Sequence, residues 1–502
     1  MKAVKISNND NVAVVTALTK KGDIIDGYNI KALCDIPQGH KIALVKLKKG
    51  DPVVRYGVVL GYMLEDLDAG GWINENNIEL PSSPEVESLT FGQKGKVLNY
   101  TNVRTTWLGY DNGPDLPGGS RNILGIITSV QCVAGVVRNA VEVIKKELLP
   151  KYPNVDDVVA VTHPYGCGVA IAADDSDIPI RSVRNVAHHP NFGGQILAVG
   201  LGCEKLQMNM ILTPEENNPE NVIMLQDCNG YKDMIEKICS MAIKKLEILN
   251  KRKRIELPLS KLRIGTQCGG SDAFSGISAN PTIGYALDML AAQGSCVMFS
   301  EVTEVRDGVH LLAERCQDEK TVEKLKYEIS WYDKYLAKNH VDRSANPAPG
   351  NKKGGLSNIV EKAMGSIAKS GHSPISEVIG PGELPTCQGM IFAATPASDI
   401  ACGPSQLASG IVMQLFSTGR GTPYSLAEIP VYKICTQHSM KEKWPDLFDM
   451  DSGFVVTGEK TIAQMGEILY NDILDVVSGK KTLAESHNLF NDFCLFNPAP
   501  IT

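Results

Sequence analysis

Apolar positions fall into two regimes along the chain. Up to about residue 80 they come as short runs, at 12–15, 40–45 and 52–60, parted by Pro37-Gln38-Gly39 and Lys48-Lys49-Gly50-Asp51. Runs of that length between turn-formers predict a small β-rich domain over 1–80. His40 and Arg55 are its polar standouts. Residues 81–99 are polar, with two prolines early in the stretch, and read as a linker.

From residue 100 buried strands alternate with amphipathic helices, the signature of α/β structure. The 123–130 run ends at Gln131-Cys132 and leads into a helix carrying Val136, Val137, Ala140, Val141 and Ile144. The 158–161 run ends at Thr162-His163-Pro164-Tyr165-Gly166-Cys167-Gly168, and the 196–199 run at Gly200-Leu201-Gly202-Cys203-Glu204. The basic run 251–254, read as a solvated helix end, marks a boundary. It divides a first α/β domain, 100–255, from a second, 256–502. In the second, a strand through Leu262 and Ile264 runs into Thr266-Gln267-Cys268-Gly269-Gly270-Ser271-Asp272. Asn280-Pro281 opens a helix (Ile283, Ala286, Leu287, Leu290) closed by Gly294, and the 297–299 strand follows with Glu301 and Glu304 just past its end. A last strand, 390–394, runs toward Cys402. Parallel strands bring such ends to one sheet edge, where open α/β sheets bind ligands.

Charge narrows the function. The 502 residues carry a net charge of −7, which argues against nucleic acid or an anionic membrane as partner and leaves a small anion held by a few local cations. No run reaches membrane-spanning length and no signal-peptide pattern opens the chain, so a cytoplasmic protein is expected. The 13 cysteines then read as thiols or ligands rather than a disulfide framework. Five of them, Cys132, Cys167, Cys203, Cys268 and more loosely Cys402, follow strands with Gly or acidic neighbours.

The chemistry these loops suggest is capture of an anion, proton transfer and thiol or carboxylate ligation of a metal. Gly200-Leu201-Gly202 lacks the third glycine of a dinucleotide loop, because Lys205 stands there. The segment 342–356, dense in Asn, Pro, Gly and cations before a helix, makes an anion cradle, and Gly419-Arg420-Gly421 is a second Gly/Arg turn. Removing a proton α to a carboxylate needs cationic or Lewis-acid stabilisation of the enediolate, which suits a lyase better than hydride or phosphoryl transfer.

The stretches from Cys268 to Gly276, Gly200 to Leu206, Tyr165 to Val169 and Ser344 to Gly355 resemble the altronate/galactarate dehydratase family. Phe299 to Asp307, Gly365 to Gly371 and the C-terminal Phe496 to Thr502 are similar to its galactarate-acting members. The resemblance implies an N-terminal SAF (β-clip) domain, two Rossmann-like α/β domains and dehydration of galactarate to 5-dehydro-4-deoxy-glucarate, with altronate or another sugar acid as the alternative. It also implies a divalent metal, Fe(II) before Mn(II). Where altronate dehydratases carry a His-x-His-Asn segment, this chain reads Asn74-Glu75-Asn76-Asn77. His163 is the leading acid or base, with Glu301 and Glu304 as alternatives. Arg121, Arg184, Arg343, Asn351, Lys352 and Lys353 are the pool for a dianion's anchors. Cys167, Cys203, Glu204, Cys268 and Asp272 are the pool for the metal. An iron–sulfur hydro-lyase, using three or four strand-end cysteines, is the rival. A homo-oligomer, with a dimer first, is expected.

Overall fold

The structure, a computed structural model, describes residues 2–501. Short antiparallel strands build the N-terminal domain. Val12–Val15 pairs with Lys41–Ala43, which pairs with Trp72–Ile73. The apolar run at 52–60 is a hairpin rather than one strand: Pro52–Arg55 returns as Val58–Met63. Tyr56 and Gly57 turn it, with φ of 61° and 74°, the sign that primed hairpin turns need to match strand twist.

The segment 81–99 is a strap laid over the second α/β domain. Val86 and Leu89 are buried in that domain's core, and Lys94 N and Lys96 N donate to the carbonyls of Glu314 and His372. The chain enters and leaves the first α/β domain through a two-stranded antiparallel ribbon, Thr106–Gly109 against Ile255–Pro258. The basic run beside it is internal wiring. Arg252 and Arg254 lie over the Tyr110 ring and donate to Asn112 and to the carbonyls of Leu108 and Ser120.

The first α/β domain has four parallel strands, β1 (Ile123–Thr128), β2 (Asp157–Val161), β3 (Leu197–Gly200) and β4 (Val222–Met224), in the order β2-β1-β3-β4. Alternation along β1 decides its two faces. Leu124 and Ile126 pack on α1 (Ala134–Val143) and α3 (Tyr231–Leu249). Ile123 and Ile127 face the other way, with α2 (Asp177–Ala187), into a core shared with Met298, Ile391 and Phe416 of the second domain.

The second α/β domain is a parallel seven-stranded sheet: β5 (Arg263–Cys268), β6 (Cys296–Ser300), β7 (Ile375–Ile379), β8 (Gly389–Ala393), β9 (Met413–Thr418), β10 (Val431–Cys435) and β11 (Met450–Asp451). Its order is β7-β8-β6-β5-β9-β10-β11, so the chain reverses its winding between β5 and β9. Such a switch point opens a crevice at the strands' carboxyl ends. Helix α4 (Ala279–Ala292) links β5 to β6. The long insertion between β6 and β7 carries α5 (Glu319–Lys338), the 342–356 loop and α6 (Ile359–Ile367). After β8, α7 (Asp399–Ala408) packs on α2. The C-terminal tail crosses back: Phe493 and Leu495 enter the shared core, and Ala170 N donates to the Pro500 carbonyl. Thus both α/β domains expected from the sequence are present, with a sheet edge apiece.

Candidate active site

At the carboxyl edge of the seven-stranded sheet, Cys268 is the last residue of β5 and Glu301 the first after β6. Glu301 has φ of 82°, a left-handed backbone that costs a non-glycine residue of order 1 kcal/mol and is held by its surroundings. That turn folds its carboxylate back under β5, where it accepts from Cys268 N at 3.2 Å. One 3₁₀ turn on, Glu304 Oε2 accepts from Cys268 Sγ at 3.1 Å.

Helix α6 supplies the counter-charge. Its sequence is apolar enough to pack inside the domain, yet Lys362, Ser366 and Lys369 recur at i, i+4 and i+7 and share one face. Lys362 Nζ meets Glu304 Oε1 at 2.8 Å, and Ser366 Oγ donates to Glu304 Oε2 at 3.1 Å. Lys369, in the turn after the helix, donates to Glu301 Oε2 at 2.8 Å and Cys268 Sγ at 3.1 Å. Cys268, Glu301, Glu304 and Lys369 are all buried.

Burial and mutual charge set the protonation states. Desolvation pushes the Cys268 thiol up to about 12, with Glu304 adding to it, so it is a neutral donor. Desolvation and the Glu304 charge raise Glu301 to about 7. Glu304 is burdened by the same burial but held below the usual carboxylate range by Lys362 and Lys369. Two neighbouring carboxylates pushed apart in this way are suited to different roles in proton transfer. Asp399, at the start of α7, is a third carboxyl here. Burial and Glu304 raise it to about 6, and Gly269 has no Cβ because one would meet its carboxylate.

A crevice of about 340 Å³ opens beside this cluster. It lies between Tyr332 of α5, Thr303, the 396–398 turn, and Asn346 and Asn351 of the 342–356 loop. Lys362 belongs to both: it lines the crevice, donates to Asn346 Oδ1 at 2.8 Å, and pairs with Glu304 behind. This volume suits a small ligand.

A second cluster lies on the other side of α6. Glu361 is buried against Lys41 at 2.8 Å and against Arg55, and Arg55 Nη2 also donates to the Ala273 carbonyl at 2.9 Å. Lys41 Nζ reaches the Gly355 carbonyl at 2.7 Å. The N-terminal domain is therefore anchored directly against α6.

Comparison with known proteins fits this architecture domain by domain. The description "Altronate/galactarate dehydratase SAF domain" matches residues 1–81, "D-galactarate dehydratase/Altronate hydrolase, second domain" matches 109–250, and "D-galactarate/Altronate dehydratase, C-terminal" matches 259–501. The chain is 48% identical to galactarate dehydratase (L-threo-forming) of Escherichia coli K12, covering 99% of this chain and 97% of that one. The chain belongs to the altronate/galactarate dehydratase family. It is 32% identical to altronate dehydratase of the same organism, over 99% of each chain. It is 28% identical to the (2R)-sulfolactate sulfo-lyase subunit beta of Chromohalobacter salexigens, over 76% of this chain and 95% of that one.

As a member of this family the chain is a sugar-acid dehydratase, a hydro-lyase. The structure brings together Cys268, Glu301 and Glu304 of the expected residues and places Asn351 at the crevice, its Nδ2 donating to the Ser271 carbonyl. Burial raises Asp272 to about 6, against the hydrogen bonds its oxygens accept from Phe274 N, Ser275 N and Oγ, Thr436 Oγ1 and Gln437 Nε2. With five donors its lone pairs are taken, and it supports the loop rather than a ligand. Arg343 pairs with Asp307 at 3.1 Å and donates to the Pro81 carbonyl. Lys352 is half-buried and Lys353 exposed, on a short helix. Arg121 is spent on Glu485 and the carbonyls of Ser120, Val476 and Lys480, and Arg184 on the Met210 carbonyl. Arg121 is not a free anchor, and Arg184 is exposed on α2 and does not line the crevice.

The remaining candidates lie on the four-stranded sheet. His163 is buried, its Nε2 donates to the Thr128 carbonyl at 2.8 Å, and burial pushes it down to about 4. It is a neutral structural group at neutral pH. Glu204 accepts from Ser129 Oγ at 2.5 Å, Leu201 N at 3.0 Å and Gly202 N at 2.6 Å, which folds its own loop. Cys167 and Cys203 are exposed beside it. The residues missed from sequence are Lys362, Lys369 and Asp399. Their signal was a polar stripe in an otherwise apolar helix, and an acid opening the helix after β8.

Proposed function

We propose that this chain removes water from galactarate to give 5-dehydro-4-deoxy-D-glucarate. The carrying observation is Lys362, which joins the crevice to a buried acid–base pair. The identity of the substrate is supported by the likeness to galactarate dehydratase over nearly the whole chain. Asn74, Asn76 and Asn77, which stand where the resemblance expects the histidines of altronate dehydratases, support it too: the side chains of Asn74 and Asn77 bond to backbone N–H groups of this segment and to the Trp72 carbonyl.

In this reading one carboxylate of the substrate meets Lys362. Glu301, ionised above about pH 7, takes the proton from the adjacent carbon. The electron pair moves toward that carboxylate as an enediolate, whose charge Lys362 and Lys369 compensate in a water-poor site. Collapse of the enediolate expels hydroxide from the next carbon, and Glu301 returns to it the proton it took, so that water leaves and the carboxylate is regenerated. The enol then tautomerises to the keto acid.

The single Fe(II) or Mn(II) ion expected from the resemblance does not fit this cluster. Among the described residues Cys268, Glu301 and Glu304 do hold donor atoms within 4.8 Å of one another. Two ammonium groups already sit on those donors, at 2.8 Å from each carboxylate and 3.1 Å from the thiol. A dication there would face two cations in a buried space. No step is therefore routed through it.

A cytoplasmic location and a homodimer complete the reading. Thirteen unpaired cysteines support a reducing compartment, and exposed Leu18, Ile24, Leu33, Val45 and Leu64 on the N-terminal domain support a second copy as partner. Among the described residues no helix is long and apolar enough to cross a membrane. The test is turnover of galactarate, glucarate and altronate by the anaerobically purified chain, followed as keto acid. Galactarate should give the highest kcat/KM, and Lys362→Met should lose most of it. Preference for altronate, or no turnover of any sugar acid, overturns the proposal.

A further inference from the structure

The first α/β domain carries chemistry that this mechanism leaves unused. Of the 13 cysteines, Cys132, Cys167 and Cys203 are the exposed ones. They follow β1, β2 and β3, three adjacent parallel strands whose register aligns Ile127 with Val161 and Thr128 with Val199. A free thiol ordinarily prefers burial, so exposure of these three alone, at one sheet edge, asks for a reason.

The loops that carry them are locked together. Ser129, just ahead of Cys132, donates to Glu204, the neighbour of Cys203. Lys205 N donates to the Gly166 carbonyl at 2.8 Å, tying the Cys203 loop to the Cys167 loop. A Cβ on Gly166 would collide with the Ser129 carbonyl, tying the Cys167 loop to the Cys132 loop. Gly166, Gly168 and Gly202 flank the thiols with φ of 113°, 64° and 128°, a backbone only glycine adopts freely. The edge is also the switch point of this sheet, because the chain passes from β1 out to β2 and back across to β3. Gln226 Nε2 donates to Cys203 Sγ at 3.5 Å.

The three sulfurs do not form a single-ion site: their atoms are not gathered within 4.8 Å of one another, as the donor atoms of Cys268, Glu301 and Glu304 are. In an iron–sulfur cube each thiolate binds a different iron, so the sulfurs stand further apart. The loop after Cys167 reaches the crevice helix as well, since Trp331 Nε1 of α5 donates to Asp175 Oδ1 at 3.0 Å and the next residue, Tyr332, lines the crevice.

We infer that Cys132, Cys167 and Cys203 bind a [4Fe–4S] cluster, with one iron left without a protein thiolate. This deepens the proposed dehydration by supplying the iron that the Cys268 cluster does not accommodate. The site itself stands on the loop geometry alone.

The test uses the full chain reconstituted anaerobically with Fe(II) and sulfide. About four irons and four acid-labile sulfides per chain are expected, with the broad visible absorption of a cluster. Cys132→Ser, Cys167→Ser and Cys203→Ser should each lose most of the sulfide, while Cys228→Ser, in the same domain, keeps it. Unchanged far-ultraviolet dichroism in each variant separates ligand loss from misfolding. Iron bound without sulfide, zinc in its place, or full sulfide in all three variants overturns the inference. Galactarate turnover by sulfide-free protein overturns it too and leaves the proposed function standing. A cluster present with no turnover of any sugar acid leaves this inference standing and overturns the function.

Discussion

Lys369 ties two members of the candidate site together, with its ammonium on both the Glu301 carboxylate and the Cys268 sulfur. Its removal should strand two buried carboxylates against each other, at a cost of about 3–5 kcal/mol. Loss of a neighbouring cation also disfavours the ionised form of Glu301. In Lys369→Met the acid limb of the kcat/KM profile should therefore shift to higher pH than in the parent. An unmoved limb would separate Lys369 from the acid–base pair. His163 makes a different prediction. Its folded pKa, about 4, lies below the ordinary 6.5, so the folded state binds fewer protons than the unfolded one between those values. Its contribution is present above about pH 6.5 and is lost as pH falls toward 4, roughly 3 kcal/mol in all. Urea midpoints of the parent should fall over that window, and His163→Asn should flatten part of the fall. Sequence alone nominated His163 as the acid or base because it sits on a Gly-rich loop after a strand. Nothing in the sequence says that the Thr128 carbonyl accepts the hydrogen bond from its ring N–H.

At the scale of elements, strand ends were legible and a helix face was not. Cys268, Glu301 and Glu304 stand beside apolar runs, so the parallel-sheet rule alone brings them to one edge. Lys362 lies within, and Lys369 in the turn after, a helix whose Ile359, Val360, Ala363 and Ile367 announce burial, and lysines ordinarily keep their charged ends in water. Their i, i+4, i+7 spacing through Ser366 was the available signal, and it acquires meaning only once the whole helix is known to be inside. The same helix shows what the N-terminal domain does mechanically. Arg55 was visible as a polar residue in a strand, but its partner Glu361 is 306 residues away. Glu361→Ala should leave Lys41 and Arg55 buried without a counter-charge and cost about 3–5 kcal/mol. Limited proteolysis should then cut the 81–99 strap sooner than in the parent. Equal resistance would mean that the two domains are held by other contacts.

For the whole molecule, the three-part division was legible from where turn-rich runs give way to strand–helix alternation. Two long-range features were not: the tail that returns to the first α/β domain, and the strap wired to Glu314 and His372. Both are polar or proline-rich stretches whose partners lie far off in sequence. They leave the molecule with two sheet edges of opposite character, one with exposed thiols and one with buried lysines and carboxylates, joined through a common core. The central claim is that proton removal from the sugar diacid belongs to the second edge, at Glu301. It is tested most directly by the pH dependence of kcat/KM for galactarate in the parent and in Glu301→Gln. The parent should rise with pH through about 7, and the variant should fall by roughly 10²–10⁴-fold and lose that rise. A Glu301→Gln enzyme that keeps the parent's rate and profile would contradict it.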